Sequence, residues 1–80
     1  MMTSSIHQSV KAAANRISEH VRRTPFERSV MMSELTGADV WLKLENQQYT
    51  GSFKFRGAMN KMLTLSQSER ESGIYAASTG

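Results

Sequence analysis

The sequence predicts an α/β protein in which helices pack in layers against a parallel sheet, with the sheet incomplete within this chain. Three observations predict this class: an apolar stripe at helical spacing near the N-terminus, an alternation of apolar and polar residues over residues 40–44, and a second helical stretch soon after it. Helix and strand segments therefore alternate along the chain, as is typical of folds with parallel strands. With 80 residues, the chain forms one small domain at most.

The first helix is predicted over residues 6–22. Ser4 and Ser5 are candidate N-caps, and the arginines that end the segment suit the negative end of a helix dipole. The helix ends before the Thr-Pro pair at positions 24 and 25, because the residue before a proline avoids the helical conformation. Its apolar stripe has six members: Ile6, Val10, Ala13, Ala14, Ile17 and Val21.

Two strands are predicted in the middle of the chain. Residues 30–32 form a short strand within an ambiguous segment, and the clearest strand covers residues 40–44. In the second strand, the apolar even-numbered residues face one side, and Trp41 and Lys43 face the other. Residues 36–39 contain a glycine and read as the turn between the strands.

The second half of the chain is predicted to continue the alternation. Ser52 is the expected N-cap of a helix over residues 53–65, and Ser66 caps a shorter helix that reaches Ser72 and is ended by Gly73. A strand of small residues over positions 74–77 follows. The buried side of the longer helix is expected to comprise Phe55, Met59, Met62 and Leu63.

Composition excludes several classes of function. The net charge is +3, but the ten Lys and Arg residues are spread along the chain, whereas a nucleic-acid-binding surface clusters its positive charge. No cysteine is present, and His7 and His20 lack a ligand-like spacing, so we expect no metal site. No apolar run reaches the roughly 18–20 residues of a membrane span, and the N-terminus does not resemble a secretory signal. We therefore expect a cytoplasmic protein with no membrane or nucleic-acid partner.

The most informative segment is residues 50–58, Thr-Gly-Ser-Phe-Lys-Phe-Arg-Gly-Ala. Lys54 lies between Phe53 and Phe55, after a Gly-Ser turn and just before a predicted helix. An amine held between aromatic rings loses water, which favours the neutral amine that an aldehyde needs to form an imine. The same alternation is also typical of an edge strand with one apolar face, in which the lysine head stays in water.

Together with Lys-Leu-Glu-Asn at positions 43–46 and Ala-Ser-Thr-Gly at positions 77–80, this segment resembles the pyridoxal-phosphate (PLP) dependent serine/threonine dehydratases. That group, of fold type II (tryptophan synthase β-like), includes threonine and serine dehydratase, hydroxyaspartate ammonia-lyase and serine racemase. The resemblance implies PLP as cofactor, held by Lys54 as an internal aldimine. It also implies a small-molecule amino-acid substrate and a homo-oligomeric full-length enzyme.

The resemblance implies roles for further residues. Phe53 would pack against one face of the cofactor ring, although ordinary core packing is the alternative. Ser78, Thr79 and Gly80 would belong to the loop that binds the substrate carboxylate. Thr79 departs from many dehydratases, and its hydroxyl leaves racemase chemistry open. Arg56 is interpreted as an ion-pair anchor, since the phosphate of the cofactor is held in the family by a glycine-rich loop further along the chain.

The implied reaction is a lyase reaction of hydroxy amino acids. Lys54 takes the α-proton as general base, the β-hydroxyl leaves, and a keto acid and ammonia result. The alternatives are racemisation or β-replacement on the same fold, and a non-catalytic module that binds an acidic partner. We expect residues 1–72 to begin the large PLP domain and residues 73–80 to begin the small domain. On this reading the chain is an N-terminal fragment and is inactive in isolation.

Overall fold

The computed structural model describes the backbone of residues 2–77 and the side chains of residues 5–77. Within these residues it contains four α-helices, two short strands and one turn of 3₁₀ helix. The elements in chain order are α1 (Met2–Ile17), β1 (Phe26–Arg28), α2 (Val30–Thr36), β2 (Trp41–Lys43), the 3₁₀ turn (Glu45–Gln47), α3 (Phe55–Thr64) and α4 (Gln67–Glu71).

The two strands form an antiparallel pair in which Glu27 lies opposite Leu42. The Ser29 N–H extends the ladder at one end by donating to the Val40 carbonyl at 2.8 Å. The pairing within the described residues is therefore antiparallel, whereas the sequence predicted a parallel sheet for the fold as a whole. The segment between them folds back on itself, so β2 returns alongside β1 in the opposite direction. A parallel sheet stays a prediction for the complete fold.

Helix α1 differs from the predicted helix at both ends. It begins at Met2, so neither Ser4 nor Ser5 is its N-cap, since the polar residues before position 6 continue the helix without a proline or glycine to stop it. It ends at Ile17 rather than at Arg22, and the His20 N–H closes the last turn on the Ile17 carbonyl at 2.8 Å. The helix cannot reach Arg22 because the backbone of that residue is bonded to a glutamine side chain described below.

Helix α2 replaces the strand predicted over residues 30–32. The Ser29 hydroxyl accepts from the Met32 N–H at 3.1 Å, which caps the helix, and Gly37 ends it with a φ of +73°. Glycine adopts this left-handed conformation without steric cost. The two capping residues therefore outweigh the strand propensity of the apolar residues between them.

Helices α3 and α4 confirm two predicted helices with shifted ends. Helix α3 begins at Phe55, and Lys54, not Ser52, is its N-cap residue. Ser66 caps α4 as predicted, and a capping box joins it reciprocally to Glu69. On α3, Phe55, Met59 and Leu63 are half-buried as expected, whereas Met62 is exposed.

Residues 74–77 do not form the predicted strand. A strand needs a neighbouring strand to which its backbone is hydrogen-bonded, and none of the described segments pairs with residues 74–77 in this way.

The interior of the chain is small: Ile17, at 6% exposure, is the buried apolar residue among those described. The radius of gyration is 16.4 Å, whereas a compact chain of this length has about 12 Å. Most apolar faces of the segment are thus left uncovered, and no described helix has the length and hydropathy to cross a membrane.

Candidate functional site

Lys54 lies where the loop of residues 48–53 meets helix α3. Its backbone N–H donates to the Ser52 hydroxyl at 3.1 Å, and its carbonyl accepts the first helical hydrogen bond from the Ala58 N–H at 3.0 Å. Its φ and ψ of −77° and −13° are already helical. The main chain of Lys54 is therefore held on both sides, while its side chain is exposed.

A tight turn leads into this position. The Gly51 N–H donates to the Gln48 carbonyl at 2.8 Å, and Gly51 has a φ of +71°. A Cβ atom at position 51 would lie 3.8 Å from the Asn46 carbonyl oxygen, an ordinary contact. Backbone conformation rather than lack of space therefore favours glycine here.

The two phenylalanines beside Lys54 lie in different surroundings. Phe53 is 74% exposed, and the Phe55 ring instead makes an edge contact with Tyr49, with ring centroids 5.8 Å apart. The Arg22 guanidinium lies over the other partner of this pair, 4.9 Å from the Tyr49 ring centroid. Phe55 is the first residue of α3 and is half-buried, whereas Phe53 belongs to the loop. The desolvation of Lys54 by the two rings stays a prediction.

An ion pair closes the base of the Lys54 loop. The Arg56 Nε donates to Glu45 Oε1, and Arg56 Nη2 lies 3.4 Å from Glu45 Oε2. The Thr24 hydroxyl donates to the same carboxylate. Arg56 therefore serves as the ion-pair anchor predicted from the sequence, with a partner that the sequence did not identify.

The environment of Glu45 favours its charged form. The Arg56 hydrogen bond, followed by that of Thr24, lowers the pKa of the Glu45 carboxyl from 4.5 to about 2. The carboxylate therefore stays ionised throughout the neutral and mildly acidic range. Glu45 precedes the Lys54 loop and thus gives that loop an anchor that is charged at neutral and mildly acidic pH.

Gln48 joins the same loop to the chain that follows α1. Its Oε1 accepts from the Arg22 N–H and its Nε2 donates to the Arg22 carbonyl, both at 2.8 Å. Gln48 is 4% exposed, as is Thr24, whose carbonyl accepts from Lys43 Nζ at 2.7 Å. Sequence reasoning missed both buried polar residues, because their partners lie 26 and 21 residues away. The proximity of Gln48 to the motif was the one available signal.

The predicted site residues are thus placed only in part. Phe53 and Lys54 are adjacent at the end of the loop, and Phe53 lines a shallow groove together with Lys43 and Asn46. Ser78, Thr79 and Gly80 lie outside the described residues. The structure therefore describes Phe53 and Lys54 but not the residues predicted to bind the substrate carboxylate.

Comparison with known proteins identifies the class. Residues 17–80 match the family of pyridoxal-phosphate dependent enzymes, and the chain belongs to this family. Its fold is accordingly that of the fold type II PLP enzymes, of which the described residues form a mixed helix and strand segment with a two-stranded sheet. No solved structure matches the chain.

Individual relatives show which members of the family the chain is similar to. The chain is 56% identical over 73 residues to a Sinorhizobium fredii protein provisionally named as a threonine dehydratase, covering 91% of this chain and 22% of that protein. It is 47% identical over 73 residues to the L-threonine ammonia-lyase of Thermotoga maritima, covering 91% and 18%. It is 49% identical over 72 residues to the catabolic L-threonine dehydratase TdcB of Staphylococcus aureus, covering 89% and 21%. The chain therefore spans about a fifth of the length of these relatives.

The chemistry of Lys54 fits the cofactor that the family uses. The Lys54 side chain carries a primary amine, which can condense with an aldehyde, and its fixed main chain limits where the amine can reach. The exposed ring of Phe53 is the aromatic surface next to it. An amine and a neighbouring ring are the parts of a PLP site that the described residues offer.

Proposed function

We propose that this chain is a segment of a PLP-dependent ammonia-lyase that converts threonine, serine or a related hydroxy amino acid to a keto acid and ammonia. The observation that carries the proposal is the placement of Lys54 at the N-cap of α3, with a restrained main chain and an exposed side chain. The similarity to named threonine dehydratases supports the substrate class.

In this proposal, Lys54 holds the cofactor and moves a proton. When bound, PLP supplies an aldehyde for attachment to an amine and a ring that accepts electron density from the substrate α-carbon. The Lys54 amine takes the substrate α-proton as general base, and the β-hydroxyl group leaves from the neighbouring carbon. Phe53 excludes water from one side of the amine once the rest of the protein covers its ring.

The proposal extends to parts of the protein that the described residues do not include. Ser78, Thr79 and Gly80 are proposed to bind the substrate carboxylate through backbone N–H groups. Residues 1–72 are proposed to begin a large domain with a parallel, layered sheet, and residues 73–80 a smaller one. A homo-oligomeric, cytoplasmic enzyme completes the proposal, and the cysteine-free sequence is consistent with a reducing compartment.

The attachment site is tested by borohydride reduction of the full-length holoenzyme, followed by peptide mapping. We expect the pyridoxyl label on Lys54 and on no other lysine. K54A should abolish the label and lower keto-acid production by about 10⁴-fold or more, as expected when a catalytic nucleophile is removed. Lys61 is the matched control, because it lies on the exposed side of the same helix, and K61A should keep both label and activity. Label on another lysine would contradict the proposal.

The reaction is tested by product analysis with serine, threonine and hydroxyaspartate. A keto acid and ammonia, formed in equal amounts, are the expected products. The mirror-image amino acid as main product would instead identify a racemase, which is the outcome that the Thr79 hydroxyl leaves open. Absence of both products from a correctly loaded holoenzyme would contradict a role in either reaction.

A further inference from the structure

The polar contacts around the Lys54 loop form one connected network rather than separate hydrogen bonds. Glu45 lies before the loop and Arg56 after it, so their ion pair joins the two ends of the loop across its base. The loop is also connected to a distant part of the chain, because Gln48 and Arg56 are bonded to the Arg22 backbone and the Arg22 guanidinium lies over the Tyr49 ring.

Arg56 is the member of the network that is nearest to Lys54. It lies two positions further along, in the first turn of α3, where each residue advances the helix by about 1.5 Å. Its Nη2 atom also donates to the Arg22 carbonyl at 3.3 Å, in addition to its contacts with Glu45. The start of α3 is therefore tied to two separate segments, and any shift of Arg56 also shifts the main chain of Lys54.

Arg22 is the point at which the network meets the rest of the protein. Its carbonyl accepts from both Gln48 Nε2 and Arg56 Nη2, and its N–H donates to Gln48 Oε1. The Thr24 hydroxyl, two residues on, donates to Glu45. The segment after α1 thus serves as a fixed base to which both ends of the Lys54 loop are bonded.

We propose that Glu45 and Arg56 are positioning residues for Lys54, because their ion pair fixes the first turn of α3 relative to residues 22–24 and so determines where the lysine amine can reach. This inference rests on the proposed function of Lys54. Neither residue reacts with substrate or cofactor. Their effect is to keep the amine at the distance and angle that attachment and proton transfer require, and errors of about 1 Å in such geometry cost about 10²-fold in rate.

The test is steady-state kinetics of the full-length holoenzyme with E45Q. Glutamine has the size and shape of glutamate but lacks its charge, so the carboxylate–guanidinium pair is lost. We expect kcat to fall by about 10- to 100-fold, with KM and the amount of bound cofactor close to those of the unchanged enzyme. A residue with a merely structural role would change the yield or heat stability of the enzyme without this split between kcat and KM.

A matched control is available in another ion pair among the described residues. Arg28 and Asp39 are also eleven residues apart, and their side chains meet at 2.7 Å on the surface of the strand pair. D39N removes a charge of the same kind away from the Lys54 loop and should leave kcat unchanged. If E45Q has the same kcat as D39N, the proposal is overturned.

A second variant covers the case in which E45Q does not yield folded holoenzyme. R56K keeps the positive charge but loses the planar fork of the guanidinium, so a weaker ion pair remains. We expect a smaller fall in kcat in the same direction, and R56Q should show a larger one. Full activity of R56K and R56Q would overturn the proposal. If K54A still carries the pyridoxyl label, the proposed function fails, whereas normal kinetics of E45Q with correct labelling of Lys54 refutes the positioning role alone.

Discussion

Two ion pairs of this chain have the same sequence spacing but different surroundings. Arg28–Asp39 and Arg56–Glu45 each join an arginine to a carboxylate eleven residues away. The first pair has side chains that are 46% and 70% exposed, whereas those of the second are 34% and 13% exposed. Sequence spacing alone would give the two pairs equal weight, and the difference shows that burial and connectivity decide what an ion pair contributes.

Connectivity separates the pairs further. Asp39 receives a side-chain hydrogen bond from Arg28, and this contact holds together residues that the strand ladder already brings close. Glu45 receives hydrogen bonds from Thr24, which lies next to the strand pair where the Leu44 N–H donates to the Pro25 carbonyl, and from Arg56, which lies on α3. The Arg28–Asp39 pair therefore adds a contact within the strand pair, whereas the Arg56–Glu45 pair joins the end of the strand pair to α3.

The largest effect on stability is expected at Gln48, which belongs to the same network as the Arg56–Glu45 pair. Q48A removes both hydrogen bonds to the Arg22 backbone and leaves its N–H without that partner. Each of the two hydrogen bonds contributes about 0.5–1.5 kcal/mol, so we expect the unfolding free energy of the full-length enzyme to fall by about 1–3 kcal/mol. Urea denaturation measures this change.

The neighbouring glutamine provides the control for this experiment. Gln47 ends the 3₁₀ turn with an exposed side chain, so Q47A removes a similar side chain without touching Arg22. We expect its unfolding free energy to match that of the unchanged enzyme. Equal losses of unfolding free energy for Q47A and Q48A would show that the Gln48 contacts with Arg22 do not contribute measurably to stability.

An intermediate effect on stability is expected from protonation of Glu45. Its pKa is lowered from 4.5 to about 2 by Arg56 and Thr24, so the carboxylate stabilises the folded protein above pH 4.5. This stabilisation is lost as the pH falls from 4.5 towards 2, because the protonated carboxyl then resembles glutamine. The difference in thermal midpoint between the unchanged enzyme and E45Q should therefore narrow over that window. A difference that stays constant with pH would contradict the assignment.

The sequence predicted residues whose role is local and missed those whose role depends on distant partners. The Ser66 cap of α4 was read from the adjacent sequence and is confirmed, whereas the role of Lys54, also inferred from its neighbours, stays a prediction. The anchoring role of Arg56 was also predicted, but its partner was not. Gln48 and Thr24 were missed because nothing near them in the sequence indicates that they meet Arg22 and Glu45.

The sheet shows the same limit on a larger scale. Alternation predicted the strand over residues 40–44, and β2 confirms its centre. The direction of pairing was not encoded in that alternation, and β1 and β2 proved antiparallel. Residues 74–77 carry strand-forming residues but no described neighbour to pair with. Residues with strand propensity therefore form a strand only where another described segment pairs with them.

The smallest effect is expected at the exposed pair. D39N removes the charge of a carboxylate that is 70% exposed and whose partner arginine is itself about half exposed. Exposed pairs of this kind contribute about 0.2–1 kcal/mol, and salt screens them. We expect a loss of unfolding free energy within that range in dilute buffer, which disappears when the salt concentration is raised. A loss as large as that of Q48A, or one that persists in high salt, would show that Arg28–Asp39 also organises the fold and would remove the contrast between the two regions.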